Sequence, residues 1–156
     1  MNEKETLEAQ ARGLGLALAR LLEARPGLRR AFRGLRRADL PEAWVYLYRL
    51  GEGFSEEVLR GAGVLAASFR HAPSHPASLF PKDPSGERRF YRLLRSRTPM
   101  EVALALARQA GYLGGALDLG EAVRALALWG DRVRFEWARV YAREGLGGDG
   151  EDSVSE

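Results

Sequence analysis

The side chains best suited to chemistry in this sequence are arginines that cluster in two short segments. Residues 25–37, RPGLRRAFRGLRR, contain six arginines and no acid, and residues 86–97, GERRFYRLLRSR, contain five arginines and one acid. A guanidinium group donates paired hydrogen bonds that fit the oxygens of a phosphate. Like charges along a helix repel one another unless something negative lies across them. The pattern therefore favours binding of a polyanion.

Both segments separate an apolar face from a cationic face when they are drawn as helices at about 100° per residue. Leu28, Phe32 and Leu35 share the apolar side of the first helix, and Phe90 and Leu93 share that of the second. The opposite faces are suited to gripping nucleic-acid phosphates without reading base sequence. They hold Arg29, Arg30, Arg33, Arg36 and Arg37 in the first segment, and Arg88, Arg89, Arg92 and Arg95 in the second.

Two other interpretations of these faces stay open. The arginines can be solvated and paired with acids, as the spacing of Arg132, Glu136 and Arg139 in a later segment suggests. Alternatively, the chain is a helical protein-interaction scaffold whose arginine faces bind acidic partner surfaces rather than nucleic acid. The aromatic residues near the arginines are suited either to stacking on unpaired bases or to packing; they are Tyr91, Tyr112 and Phe135.

The sequence offers little for catalysis. Cysteine is absent, and His71 and His75 are separated by Pro73, so they are expected to be loop histidines rather than a helical metal pair. The chain has no phosphate-binding loop ending in Gly-Lys-Ser/Thr and no Gly-x-Ser-x-Gly elbow. Gly13 and Gly15 are expected to allow close helix packing. We therefore expect no enzyme, no metal site and no cofactor.

The charge of the chain is unevenly distributed. The 156 residues contain 24 basic and 21 acidic side chains, a formal net charge of +3, and 22 of the basic residues are arginine. Four acids lie in residues 149–156, so residues 1–148 carry +7. The position of the arginines says more than their number, because a GC-rich genome also favours arginine. Without cysteines, a signal peptide or an apolar run of about 18 residues, the sequence predicts a cytoplasmic protein with no membrane segment.

The pattern of apolar residues predicts an all-α fold, a bundle of about seven to eight helices in two packed halves, with no strand. The halves are residues 1–70, which hold the first arginine-rich helix, and 87–145, joined by a proline-rich connector at 71–86. The last helix is expected to end at Gly145, and residues 146–156 form an acidic tail predicted to be disordered. Helix caps are predicted at Ser55, Ser85, Thr98, Asp118 and Asp131.

An ordered series of motifs begins with Leu28-Arg29-Arg30, Leu40-Pro41 and Leu47-Tyr48-Arg49-Leu50. These motifs resemble the first half of the small subunit, CasB, of the type I-E Cascade complex of CRISPR immunity. Glu87-Arg88-Arg89-Phe90 is similar to its second basic helix, and Leu117-Asp118, Trp129 and the stretch 132–141 to its closing pattern. Ser78-Leu79-Phe80-Pro81 departs from the family pattern, because it lacks an arginine found there.

The resemblance implies a non-catalytic, all-helical subunit of a CRISPR-RNA-guided surveillance complex in antiviral defence. Its expected partners are the other Cascade subunits, the guide RNA, and single-stranded and target DNA, with two copies associating in the complex. Its basic surface would stabilise the displaced strand and the target strand of the R-loop. The resemblance carries over Arg29, Arg30, Arg88, Arg89 and Arg132 as nucleic-acid contacts, and the helical faces add Arg33, Arg37, Arg92 and Arg95.

Overall fold

The protein is a bundle of α-helices. A computed structural model describes the backbone of residues 3–154 and the side chains of residues 6–143. This part of the chain forms eight α-helices, and the predicted all-α class is confirmed. In chain order they are α1 Glu3–Ala24, α2 Arg29–Arg33, α3 Pro41–Leu50, α4 Glu56–Ser68, α5 Pro84–Leu94, α6 Pro99–Arg108, α7 Leu119–Leu128 and α8 Asp131–Val154.

Two short strands depart from the prediction that the chain has none. β1, Arg70–His71, pairs in parallel with β2, Ala116–Leu117. Each strand has two residues, too few to leave an alternating pattern in the sequence. The pair ties the segment after α4 to the segment before α7, and it brings residues 46 positions apart into register.

The first arginine-rich segment is not the single helix that its periodicity predicted. It consists of a 3₁₀ turn at Pro26–Leu28, the short helix α2, and a second 3₁₀ turn at Gly34–Arg36. Leu40 crowds the second turn, since a Cβ atom added at Gly34 would lie 2.7 Å from the Leu40 Cδ1 atom. Phe32 and Leu35 nevertheless remain buried, so the apolar and cationic sides predicted from the sequence are preserved.

Three of the five predicted helix caps are confirmed, and Asp131 lies in the first turn of α8 rather than at its cap position. The side chains of Ser55, Thr98 and Asp118 each accept a hydrogen bond from the backbone N–H three residues further on. The prediction for Ser85 is wrong, because Asp83 caps α5 by accepting from the Gly86 N–H at 2.7 Å. Pro84 then occupies the first turn, where its fixed φ favours the helix, so α5 begins earlier than expected.

The core has two neighbouring clusters that follow the two helical halves. One is built mainly from α1, the arginine-rich segment, α3 and α4, and the other mainly from α5 to α8. Helix α7 contributes to both, and it lies so close to α1 that a Cβ atom on Gly15 would collide with the Leu119 backbone. Gly15 therefore serves close helix packing, as predicted. The same prediction is wrong for Gly13, because a Cβ atom added there would have no neighbouring atom within 4 Å. The two halves pack against each other through α1 and α4 on one side and α6 and α7 on the other.

Helix α8 continues beyond its predicted end at Gly145 and runs to Val154. The predicted disorder of the acidic tail, residues 146–156, stays a prediction, since residues 155–156 and all side chains from residue 144 lie outside the described part of the chain. No helix in the described residues is both long and apolar enough to span a membrane.

Candidate nucleic-acid interface

Helix α5 presents a row of arginines to solvent because its other side is anchored in the core. Phe90 and Leu93 are fully buried, and Phe90 packs against Phe80 and Tyr141. The same helical turns expose the side chains of Arg88, Arg92 and Arg95. The cationic face predicted for this helix is therefore exposed to solvent.

A basic groove follows the contact between α5 and α6. It consists of two adjoining cavities of about 320 and 270 Å³ that share Arg92. Arg108 on α6 completes it, a residue that the sequence did not single out. Glu101 is the one carboxylate that lines the groove, and its Oε1 atom accepts from the Arg97 backbone N–H at 2.8 Å. The five arginines of the groove are Arg88, Arg89, Arg92, Arg95 and Arg108.

Arg89 is held in one orientation within this groove. One of its terminal nitrogens donates to the Gln109 Oε1 atom at 2.8 Å, and its guanidinium carbon lies 4.0 Å from the centroid of the Tyr112 ring. Stacking on an aromatic face fixes the plane of the guanidinium while leaving its other N–H groups free to donate. A phosphate at this point would meet a group that is already ordered.

The aromatic side chains near the arginines are exposed to different degrees. Phe135 is 67% exposed and Tyr91 is 48% exposed, so neither is a core residue. Tyr112 is 39% exposed and carries the Arg89 guanidinium on its ring. Tyr91 lies on α5, the same helix as the arginine row.

The six arginines of the first segment fall into two groups. The side chains of Arg30, Arg33 and Arg37 are exposed and form no hydrogen bond or ion pair with any described residue. The other three have partners, since Arg25 donates to the Tyr46 hydroxyl and Arg36 donates to the Ser68 Oγ atom at 3.2 Å. Arg29 is half-buried, and one terminal nitrogen donates to the Ala66 and Ala67 carbonyls, at 3.2 Å each. Those carbonyls lie at the end of α4, where a cation is favoured. Arg29 therefore attaches the segment to α4, whereas Arg30, Arg33 and Arg37 are available to a ligand.

Arg132 already has partners within the chain. Its side chain is 55% exposed and forms ion pairs with Glu136 at 3.3 Å and Glu8 at 3.7 Å. A phosphate would have to compete with both carboxylates for this guanidinium. The structure thus places Arg132 apart from the groove between α5 and α6, in an internal ion network.

This network is centred on two buried charges, Glu121 and Arg124, with exposed fractions of 4% and 6%. Glu121 accepts from Arg12 at 2.9 Å, from the Arg124 Nε–H at 3.0 Å and from the Trp137 indole N–H at 2.8 Å. Arg124 also pairs with Glu136 and, at 3.6 Å, with Glu8. The Glu121 side chain thus joins α1, α7 and α8, a role that its position three residues after the cap Asp118 does not predict.

His75 lies beside the network and is expected to make stability depend on pH. Its Nδ1 atom accepts from the Ala77 N–H at 3.0 Å, and its Nε2 atom lies 3.7 Å from Glu121. Burial lowers the pKa of His75 below 6.5, although the carboxylates of Glu121 and Asp118 oppose the shift. The unfolded chain then binds a proton that the folded chain excludes.

The free energy of unfolding should therefore fall as the pH is lowered through and below about 6.5, the unfolded pKa of histidine. A His75→Asn variant keeps an acceptor for the Ala77 N–H and removes this titration. Urea titrations of both proteins from pH 7.5 to pH 5 check the prediction. The wild type should lose more stability than the variant over this range, and parallel pH profiles would contradict it.

The described residues contain no group of three or more histidine, cysteine, aspartate or glutamate side chains placed to hold a metal ion. The arginines support electrostatic chemistry, because rows of guanidinium donors face solvent and one of them is fixed by stacking. Comparison of the chain with protein-family models, with curated proteins and with solved structures finds no match.

Proposed function

We propose that this protein binds nucleic acid through its arginine surfaces, as a non-catalytic subunit of a CRISPR-RNA-guided surveillance complex. The observation that carries the proposal is the groove between α5 and α6, where five arginines meet one carboxylate. Uncompensated cations in such density favour a ligand with repeated negative charge. The exposed set Arg30, Arg33 and Arg37 supplies a second surface of the same kind.

The contacts in this proposal are with phosphates rather than with base edges. Arginine rows grip a backbone of any sequence and release its counterions, whereas sequence readout needs polar groups directed at the bases. Exposed Tyr91 adds a stacking surface that suits unpaired bases. These properties favour a single strand, such as the one displaced when a guide RNA pairs with its target, and backbone contacts can tip that nearly balanced exchange.

Membership of a multi-subunit complex is supported by the resemblance to CasB and by an apolar surface on α3. Val45 and Tyr48, which lie about one helical turn apart, are 50% and 51% exposed. Exposed apolar patches mark protein contacts more often than an isolated exposed side chain does. This surface also suits the alternative, a scaffold that binds only proteins, so the two proposals must be separated by experiment.

A triple variant of the first arginine surface tests the proposal. Arg30→Ala, Arg33→Ala and Arg37→Ala together remove three exposed cations that have no partner in the described chain, so the fold should be unaffected. We expect the affinity for labelled single-stranded DNA, measured by fluorescence anisotropy, to fall at least about tenfold at low salt. Arg29 is left in place because its loss would also disturb α4.

The control for this variant is a protein with Arg20→Ala, Arg139→Ala and Arg143→Ala, which loses the same charge at other exposed positions. Its affinity should change no more than about threefold. Equal losses of affinity in the two variants would mean that the net charge, and not this arginine surface, determines the binding. A wild-type protein that shifts no nucleic acid but binds acidic protein surfaces would favour the scaffold.

A further inference from the structure

A second cleft lies away from the groove between α5 and α6. It is about 450 Å³ in volume and is formed by α1, α2, the end of α4 and the paired strands β1 and β2. Its volume lies within the range of about 300–1,000 Å³ typical of small-molecule sites. Small and aromatic residues form its apolar part, namely Ala19, Ala66, Phe69, Ala72 and Ala116.

Three hydrogen-bond donors line the cleft, and two of them are held by the fold. Arg29 is fixed by its bonds to the Ala66 and Ala67 carbonyls and keeps further N–H groups. His71 accepts the Leu119 N–H on its Nδ1 atom at 3.2 Å, so the neutral ring carries its proton on Nε2. Arg70, next to it in β1, adds an exposed guanidinium.

The charged groups of the cleft do not neutralise one another. Glu23, on α1, is the one carboxylate among the residues that line it. Within the described part of the chain, neither Glu23 nor Arg70 forms a side-chain hydrogen bond or an ion pair. The cations come from α2 and β1, and the acid comes from α1. Guanidinium and imidazole donors, one carboxylate acceptor and an apolar surface thus line the same cleft. This combination suits a ligand with an anionic group and an amino-bearing flat body.

We propose that this cleft binds a nucleoside 5′-monophosphate group. Arg29, Arg70 and His71 would hold the phosphate, the base would lie against the alanines and Phe69, and Glu23 would accept from an amino group of the base. The same chemistry is offered by a free nucleotide and by the 5′-phosphorylated end of a strand. The site shares only Arg29 with the arginine surfaces described above, so it stands independently of the proposed function.

Isothermal titration with adenosine 5′-monophosphate, and with adenosine as the phosphate-free probe, tests the inference. The nucleotide should bind the wild-type protein at least about tenfold more tightly than adenosine, since charge-assisted hydrogen bonds are lost with the phosphate. Arg70→Ala should weaken binding of the nucleotide at least about tenfold. Arg20→Ala, an exposed arginine of α1 outside the cleft, is the charge-matched control and should change binding less than about twofold.

Ala116→Leu provides a second variant that fills the cleft without changing any charge. It should also abolish nucleotide binding, and circular dichroism verifies that the helices are retained. Absence of heat with the nucleotide at millimolar concentration would overturn the inference. Equal binding by the wild type and by Arg70→Ala, which is exposed and expected to fold, would overturn it as well.

Oligonucleotides with and without a 5′-phosphate distinguish the two sources of the ligand. If strand ends are bound, the phosphorylated strand should bind the wild type more tightly than the hydroxyl form, and Arg70→Ala should remove the difference. If only free nucleotides fit, the two strands should bind alike while adenosine 5′-monophosphate still binds. A variant lacking Arg88, Arg92 and Arg95 should bind the mononucleotide like the wild type, because these arginines lie outside the cleft. Binding of the mononucleotide therefore tests the cleft separately from the proposed function.

Discussion

Replacing Glu121 with alanine is expected to lower the free energy of unfolding by about 3–5 kcal/mol, the range measured when one partner of a buried ion pair is removed. The substitution leaves the Nε–H of the buried Arg124 guanidinium without its buried acceptor and the Trp137 indole N–H without a partner. Glu136 and Glu8 still face Arg124, but both are partly exposed and neither replaces the bond to Trp137. Urea denaturation monitored by circular dichroism measures the loss.

Two companions sharpen this experiment. Glu121→Gln keeps an oxygen acceptor and removes the charge, so its loss should be smaller than that of the alanine variant. Arg132→Ala removes an ion-pairing arginine that is 55% exposed, and it should cost no more than about 1 kcal/mol. If Glu121→Ala lowered the free energy of unfolding by less than Arg132→Ala, the buried network around Glu121 would not be a main source of stability.

The second large effect is expected from the arginine row on α5. The triple variant Arg88→Ala, Arg92→Ala and Arg95→Ala should weaken binding of single-stranded DNA about 100-fold, if each exposed contact contributes about 1 kcal/mol. The slope of log affinity against log salt should become shallower by about 2, since each lost contact to a single strand contributes about 0.7. Helix stability should hold, because alanine is the best helix former.

The control for this row is again the variant lacking Arg20, Arg139 and Arg143, which has the same net charge. It should retain most of the affinity and the wild-type salt slope. A single Arg108→Ala variant extends the experiment to α6, where the structure adds a groove residue that sequence reasoning missed. If the control lost as much affinity as the α5 variant, the groove would not be the binding surface.

Much of the fold was predictable because its signals are local. The spacing of apolar residues identified the helices. Ser55, Thr98 and Asp118 indicated helix starts, because each caps its helix by a hydrogen bond to the backbone N–H three residues further on. The exception at α5 is also local, since Asp83 followed by Pro84 is a stronger start signal than Ser85. The broken helix at residues 26–36 was not predictable from periodicity, because Leu40 packs against Gly34 only in the folded chain.

The candidate site was predictable in outline, and its partners were not. Periodicity placed the exposed arginines of α5 correctly, because the buried side of a helix fixes the opposite side. The spacing of Arg132 and Glu136 also indicated their ion pair. Periodicity gave no information on the α4 carbonyls that hold Arg29 or on the pairing of Arg132 with Glu8, since these partners are distant in sequence. Gln109 and Tyr112, which order Arg89, also lie outside α5, and nothing in the sequence around Arg89 indicates those contacts.

The measurement that tests the central claim most directly is the affinity of the wild-type protein for labelled single-stranded DNA over a series of salt concentrations. If six phosphates are contacted, log affinity should fall with log salt at a slope near −4, from about 0.7 per contact. A slope near zero, or no binding at low salt, would contradict the account that the arginine surfaces bind nucleic acid.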